Sequence, residues 1–322
     1  MNNIKMTLQP ELFSSDEEYK WREYLDKNGY VVIKNVLNQE EKSKYYEQFK
    51  KDWKTVAPKF DFEDKSTWKE INCPMNWLLG MIMSNGLGQS DFQWGLRTNP
   101  KIREIWEKLY HTKELVVSFD GFSLFLSKRQ NAEPWLHIDE HPSDPLYSVQ
   151  GAYNFFPVDE EDAGWLQGAY NFFSVGEEDA GFIVVPGSHR TYNALNVDNH
   201  RKFILIEEDD PHVEKAVKLI IPENCFVLWN SKTIHANTGM GIMKSKEINR
   251  LTSYITYFPK EFRSEEIYKK RVNGYINGEN CGHYAIYHHV KGEPYWDNTE
   301  FGEIEPLLDD NGDIPKDRLE LI

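Results

Sequence analysis

Residues 225–239 read CFVLWNSKTIHANTG. The run from Cys225 to Trp229 is apolar and rich in β-formers, and His235 follows just before a glycine-containing turn. That order predicts a buried strand system with an imidazole near the mouth of a sheet or barrel. Runs of the same character flank it: LVVSFDGFSLFLSK (115–128), QGAYNFF (150–156), FIVVPGS (182–188), FILIEE (203–208), AVKLIIP (216–222) and RLTSYITYF (250–258), separated by Gly, Pro, Asn and Asp. The region before about residue 112 reads differently. SSDEEYKWREYLDKNG has Ser14 or Ser15 as a helix N-cap and Gly29 as a stop, and YVVIKNVL then reads as a strand. In NQEEKSKYYEQFKKDW, Asn38 is a cap and Tyr45, Phe49 and Trp53 fall on one helical face, which core packing explains. NPKIREIWEKLYH is a further helix, entered through Pro100. The expected fold is mainly β with flanking α-helices, a jelly-roll or barrel core, in a single domain over 1–322. A mostly helical part (1–112) precedes the β core (113–262), and a tail (263–322) packs on it.

Bulk properties narrow the function. A 40% hydrophobic and 14% aromatic content excludes a disordered chain. With 52 acidic against 37 basic residues the net charge is −15, which repels phosphate backbones, and no basic patch interrupts it. Cys73, Cys225 and Cys281 are an odd, widely spaced set, which fits a reducing compartment rather than a disulfide framework. No segment reaches the roughly 20 apolar residues of a membrane helix, and MNNIKMTLQPELF lacks an apolar leader core. A cytoplasmic protein with no nucleic-acid partner and no membrane span is expected; oligomeric state is not legible.

One repeat interrupts the β region. QGAYNFFPVDEEDAGWL (150–166) is followed at once by QGAYNFFSVGEEDAGFI (167–183). Adding a strand to an antiparallel sheet reverses everything after it. One copy is therefore expected to hold the sheet position while the other is extruded, an insertion whose loop-closure cost grows only by about 0.6 kcal/mol per doubling of length. The second copy is the candidate for the sheet, because it leads directly into FIVVPGS.

Chemistry concentrates in WLHIDEHP (135–142). In an extended chain His137 and Asp139 share a face and can chelate one metal ion, although H-x-D alone is a weak signal. His235 offers the missing ligand. His189 in PGSHR competes, but its setting suggests a turn with an exposed ring. Cys281, His283, His288 and His289 lack the paired spacing of a zinc site. Two His and one Asp leave adjacent positions open on Fe(II) for a chelating co-substrate and dioxygen. Arg250, with Thr252 two residues later on the same face, suits a terminal carboxylate of that co-substrate.

The order H-x-D, GSH, WNSKTIH, then R-x-T resembles the phytanoyl-CoA dioxygenase superfamily of Fe(II)- and 2-oxoglutarate-dependent oxygenases. LDKNGYVVIKNVLNQEE and NPKIREIWEKLYHTKELVVSFDGFSLFL are similar to its segments before the site, so the resemblance covers roughly 18–260. It implies a double-stranded β-helix of cupin-like form, with His137, Asp139 and His235 as catalytic iron ligands and Arg250 and Thr252 binding 2-oxoglutarate. It further implies hydroxylation of a small or lipid-like molecule using O2, with release of succinate and CO2. Asp139 sets the chain apart from halogenating relatives, which carry a small residue there. The duplication departs from the family and leaves the roles of Gln150, Asn154, Gln167 and Asn171 open. Trp135, Tyr153, Phe155, Tyr170 and Phe172 are candidate cavity residues, and Glu140 and His141 candidates to orient a ligand or touch substrate. The rival readings are a catalytically silent binding or scaffold protein and a metal-dependent cupin-type enzyme without 2-oxoglutarate. The substrate itself is not legible.

Overall fold

The computed structural model describes residues 6–74, 80–126, 135–139, 166–177, 179–192, 203–238, 248–291 and 301–322. The chain divides into two compact units, Met1–Asn35 with Gln130–Arg250 and Val36–Arg129 with Leu251–Ile322. Strands dominate the first and helices are more frequent in the second. Among the described residues no helix is long and apolar enough to cross a membrane.

The first unit contains a six-stranded mixed sheet in the order Thr7–Leu8, Val217–Leu219, Gly181–Val184, His235–Thr238, His137–Ile138, Ile204–Leu205. Its register sets His235 opposite both His137 and Val184, and Asn237 opposite Phe182. Side chains alternate along a strand, so His137, His235, Asn237, Phe182 and Val184 share one face. The other face belongs to Ile138, Ile183 and Ala236, which join Leu136, Val185, Ile204, Ile206, Ala216 and Ile234 in one apolar cluster. Burying each large aliphatic side chain is worth about 1.5–3 kcal/mol, and a one-residue slip would turn that whole face outward. The apolar face therefore holds the two histidines in register.

A second mixed sheet in this unit runs Leu12–Phe13, Tyr30–Ile33, Cys225–Asn230, Leu166–Asn171, and then the start of Ile248–Tyr254. The sheet position goes to the second repeat copy: Leu166–Asn171 pairs antiparallel with Cys225–Asn230, Gln167 opposite Trp229 and Asn171 opposite Cys225. Residues 150–165 of the first copy, with Gln150, Tyr153, Asn154 and Phe155, lie outside the described residues, and its last residue, Leu166, begins the strand.

The helix Glu18–Asn28 ends at Gly29, which adopts φ 76° and donates its N–H to the Leu25 carbonyl. Its cap position is Glu17 rather than Ser14 or Ser15. The Ser14 amide donates to the Glu17 carboxylate at 2.9 Å, so the serines belong to the preceding turn. Gly29 is also a contact point. A Cβ there would lie 2.3 Å from Thr233 Oγ1 and 2.5 Å from His189 Nδ1.

In the second unit, the helix Gln39–Val56 opens with a capping box between Asn38 and Glu41. Phe49 and Trp53 are buried, and Phe49 packs edge-on against Phe92 and Phe122 at 5.3 and 5.7 Å. Tyr45, half-buried, instead accepts from Asn99, whose carbonyl oxygen caps the helix Pro100–Tyr110. The tail adds to this core: Tyr275 of the helix Glu265–Ile276 meets Trp94 edge-on at 5.4 Å, and Leu321 and Ile322 are buried.

Candidate metal centre

His137 and His235 are cross-strand neighbours, and Asp139 lies two residues beyond His137, its amide bonded to the Ser231 carbonyl at 3.0 Å. One ligand atom from each of the three lies within 4.8 Å of the others, the only such cluster of His, Cys, Asp or Glu among the described residues. His137 Nε2 is 3.3 Å from Asp139 Oδ1, and His235 Nε2 is 3.1 Å from Oδ2. Both histidines are buried.

The proton inventory is informative. His137 Nδ1 meets the Trp135 carbonyl at 2.9 Å, and His235 Nδ1 meets the Thr233 carbonyl at 2.8 Å. A carbonyl only accepts, so each Nδ1 carries a hydrogen, and a neutral ring then has its lone pair on Nε2. Two lone pairs thus face a carboxylate. Burial lowers the proton affinity of His235, and neighbouring His137 lowers it further, with Asp139 offsetting only part of this. Burial works against the charged form of Asp139 as well; what outweighs it and holds the carboxyl well below the usual range is positive charge and N–H donation from the two imidazoles, which neutral rings with bare Nε2 atoms do not supply and a bound cation would. An ionised carboxylate and neutral imidazoles with nothing positive between them are a donor set that a divalent cation completes.

The surroundings orient the ligands. Gln167 Nε2 donates to Asp139 Oδ2 at 2.9 Å. Trp135 stacks on His137 with ring centroids 3.9 Å apart and planes 1° from parallel, while Phe182 and Trp229 lie 5.7 and 5.6 Å from the His235 ring. Arg250 is buried, and its Nη1 donates to Asn237 Oδ1 at 2.7 Å. Asn237 escaped the sequence reading, although its position two residues after His235 places it on the same strand face. Thr252 is buried and follows on Arg250's strand, just past the boundary between the units.

Other expectations change. His189 is buried rather than exposed, with Nε2 2.8 Å from the Asp26 carbonyl, because the missing side chain of Gly29 leaves room for the ring. Tyr170 and Phe172 alternate away from Gln167 and pack on each other at 4.7 Å, with the Tyr170 hydroxyl bonded to Asn224. They are core rather than cavity. Cys281 and His288 form a relay with Glu279, separate from the one metal-type cluster. Glu140 and His141 lie outside the described residues.

No protein-family model matches the chain. Sequence similarity is nonetheless extensive: a Dictyostelium discoideum protein bearing the phytanoyl-CoA dioxygenase name is 23% identical over 281 residues, 78% of each chain. The chain resembles the phytanoyl-CoA dioxygenase superfamily over most of its length. A second relative, Ava biosynthesis cluster protein O of Aspergillus versicolor, is 28% identical over 276 residues, 79% of this chain and 82% of that one. Among solved structures, the epimerase SnoN in complex with Fe3+, alpha ketoglutarate and nogalamycin RO superposes with a TM-score of 0.50 at 15% identity, covering 92% of this chain and 97% of that one. That likeness is one of fold.

Proposed function

We propose that this chain is an Fe(II)- and 2-oxoglutarate-dependent oxygenase with a double-stranded β-helix core, one oxygenase domain over its length, hydroxylating a small molecule in the cytoplasm. The observation that carries the reading is the convergence of His137, Asp139 and His235 with both imidazole lone pairs turned toward the carboxylate. Two nitrogens and one oxygen are the donor set of a facial triad, which leaves coordination positions for a bidentate 2-oxo acid and for dioxygen. The relatives support a small-molecule substrate, since one is named for a biosynthesis cluster and SnoN is described with nogalamycin.

Iron with 2-oxoglutarate and O2 would supply the oxidising power for oxygen insertion into a C–H bond, with succinate and CO2 as the other products. The chain's own residues do the positioning. His137, Asp139 and His235 would hold the metal, and the Trp135 and Thr233 carbonyls fix the two rings so that Nε2 faces it. Gln167 restrains the Asp139 carboxylate, and Arg250, steadied by Asn237, would hold the distal carboxylate of 2-oxoglutarate together with Thr252. The aromatic rings of Trp135, Phe182 and Trp229 keep water from the ligands.

The test is anaerobic titration of metal-free protein with Fe(II) and 2-oxoglutarate, followed by the weak visible charge-transfer band of a chelated 2-oxo acid. The band is expected in wild type and absent in His137→Ala. A wild type that binds neither would put the silent binding or scaffold reading first. Turnover without succinate, unaffected by Arg250→Ala, would point to a cupin-type enzyme that uses no 2-oxoglutarate.

A further inference from the structure

Two hydrogen-bonding atoms beside the triad are left without a partner. The amide of Gln167 can face the Asp139 carboxylate only through its NH2 group, since carbonyl against carboxylate would repel, so Oε1 must point elsewhere. It is buried and unpartnered, as is the indole Nε1 of Trp229, and these residues are 1% and 4% exposed. An unpartnered indole nitrogen occurs also at Trp53 in the second unit, but there it stands in an aromatic core. Gln167 and Trp229 are instead direct cross-strand partners. One of them holds a triad ligand, and the other lies with its ring 5.6 Å from His235. Leaving a buried donor or acceptor unmade costs about 1–3 kcal/mol each, so a pair of them on a functional face marks a ligand position.

We infer that Gln167 Oε1 and Trp229 Nε1 form a recognition pair for a neutral substrate group that donates and accepts a hydrogen bond at once, a hydroxyl or an amide. The indole N–H donates to its oxygen, and its own O–H or N–H donates to the Gln167 carbonyl. A carboxylate fits poorly, because Gln167 Oε1 repels an anionic oxygen, and a bare hydrocarbon leaves both atoms unpaired. The pair therefore selects an oxygenated or amide-bearing substrate over a plain aliphatic chain. Phe182, 4.9 Å from the Trp229 ring, supplies apolar surface for the carbon skeleton. This inference deepens the oxygenase reading and rests on it for the meaning of the site, but its test needs neither iron nor 2-oxoglutarate.

The test uses full-length, metal-free protein with 15N-labelled tryptophan, the Trp229 indole resonance being the one missing from Trp229→Phe. Phenol and benzamide are titrated against toluene, which lacks the polar group. Saturable movement of the Trp229 resonance is expected with phenol or benzamide at an affinity at least about 10-fold tighter than with toluene. Gln167→Met should remove that preference while leaving the other indole resonances in place. Equal response to toluene, or no saturable response to either polar probe, overturns the inference. Should Gln167→Met lose its dispersed indole spectrum, the wild-type comparison alone decides. A failed probe titration alongside an intact charge-transfer band would discard the recognition pair and keep the oxygenase; loss of the band alone would do the reverse.

Discussion

Two histidine clusters, one in each unit, have opposite proton inventories. In the second unit, His288 Nε2 lies 2.8 Å from the Glu279 carboxylate, and Nδ1 lies 3.4 Å from Cys281 Sγ. A neutral ring protonated at Nε2 donates to Glu279 and accepts from the thiol, so every hydrogen has a place. Burial pushes the Cys281 thiol up to about 11, which keeps that proton on sulfur. In the first unit the carbonyls of Trp135 and Thr233 claim the Nδ1 hydrogens, and two Nε2 lone pairs meet a carboxylate. The first arrangement is closed and structural. The second is short of positive charge, and that deficit, rather than the number of histidines, marks a metal site.

Substitution in each cluster is the sharpest way to break this comparison. Asp139→Ala should weaken Fe(II) binding at least about 100-fold by equilibrium titration, whereas His288→Ala should leave it within error and lower stability by about 1–3 kcal/mol in urea unfolding. Iron affinity that fell equally in both variants would end the distinction. A next effect concerns the chain entry to the first unit. Gly29→Ala meets Thr233 Oγ1 and His189 in a left-handed backbone position and should cost about 1–3 kcal/mol by denaturant midpoint, with no change in the His288 relay. Within the metal centre, Gln167→Met should weaken Fe(II) by about 10-fold, since Asp139 loses the donor that aims it. An unchanged constant would remove Gln167 from the positioning of Asp139.

The smallest effect separates charge burial in the second unit from that in the first. Asp52 accepts from the Phe92 amide at 2.8 Å and from Gln48 at 2.7 Å, yet burial outweighs these bonds and pushes its carboxyl up. A raised folded pKa gives a stability contribution complete below the unfolded carboxylate range and lost as pH rises through the folded value. Asp52→Asn should flatten that slope in unfolding curves taken from acidic toward neutral pH.

Particular residues show how far the sequence could be read. His137, Asp139 and His235 were legible because period-2 spacing and a strand-end position are local properties. Asn38 and Pro100 signalled helix starts for the same reason. Ser14 and Ser15 misled, since a serine can serve a turn as readily as a cap, and only the Glu17 side chain decides between them. His189 misled for a longer-range reason: its cavity is made by a glycine 160 positions away in the chain, reached through the Asp26 carbonyl. Asn237 and Trp229 gained meaning only from their neighbours Arg250 and Gln167.

The sequence by itself determined the strand-forming runs, the two-residue spacings and the residue types able to hold a metal, because backbone propensity and alternation act over a few residues. Tertiary structure gave the sheet position to the second repeat copy, which continuity into FIVVPGS had already favoured. It also decided which nitrogen of each histidine was free, since that depends on carbonyl contacts and cross-strand register. Identical segments have identical local preferences, so only pairing with Cys225–Asn230 and continuity into Gly181–Val184 distinguish the second QGAYNFF from the first.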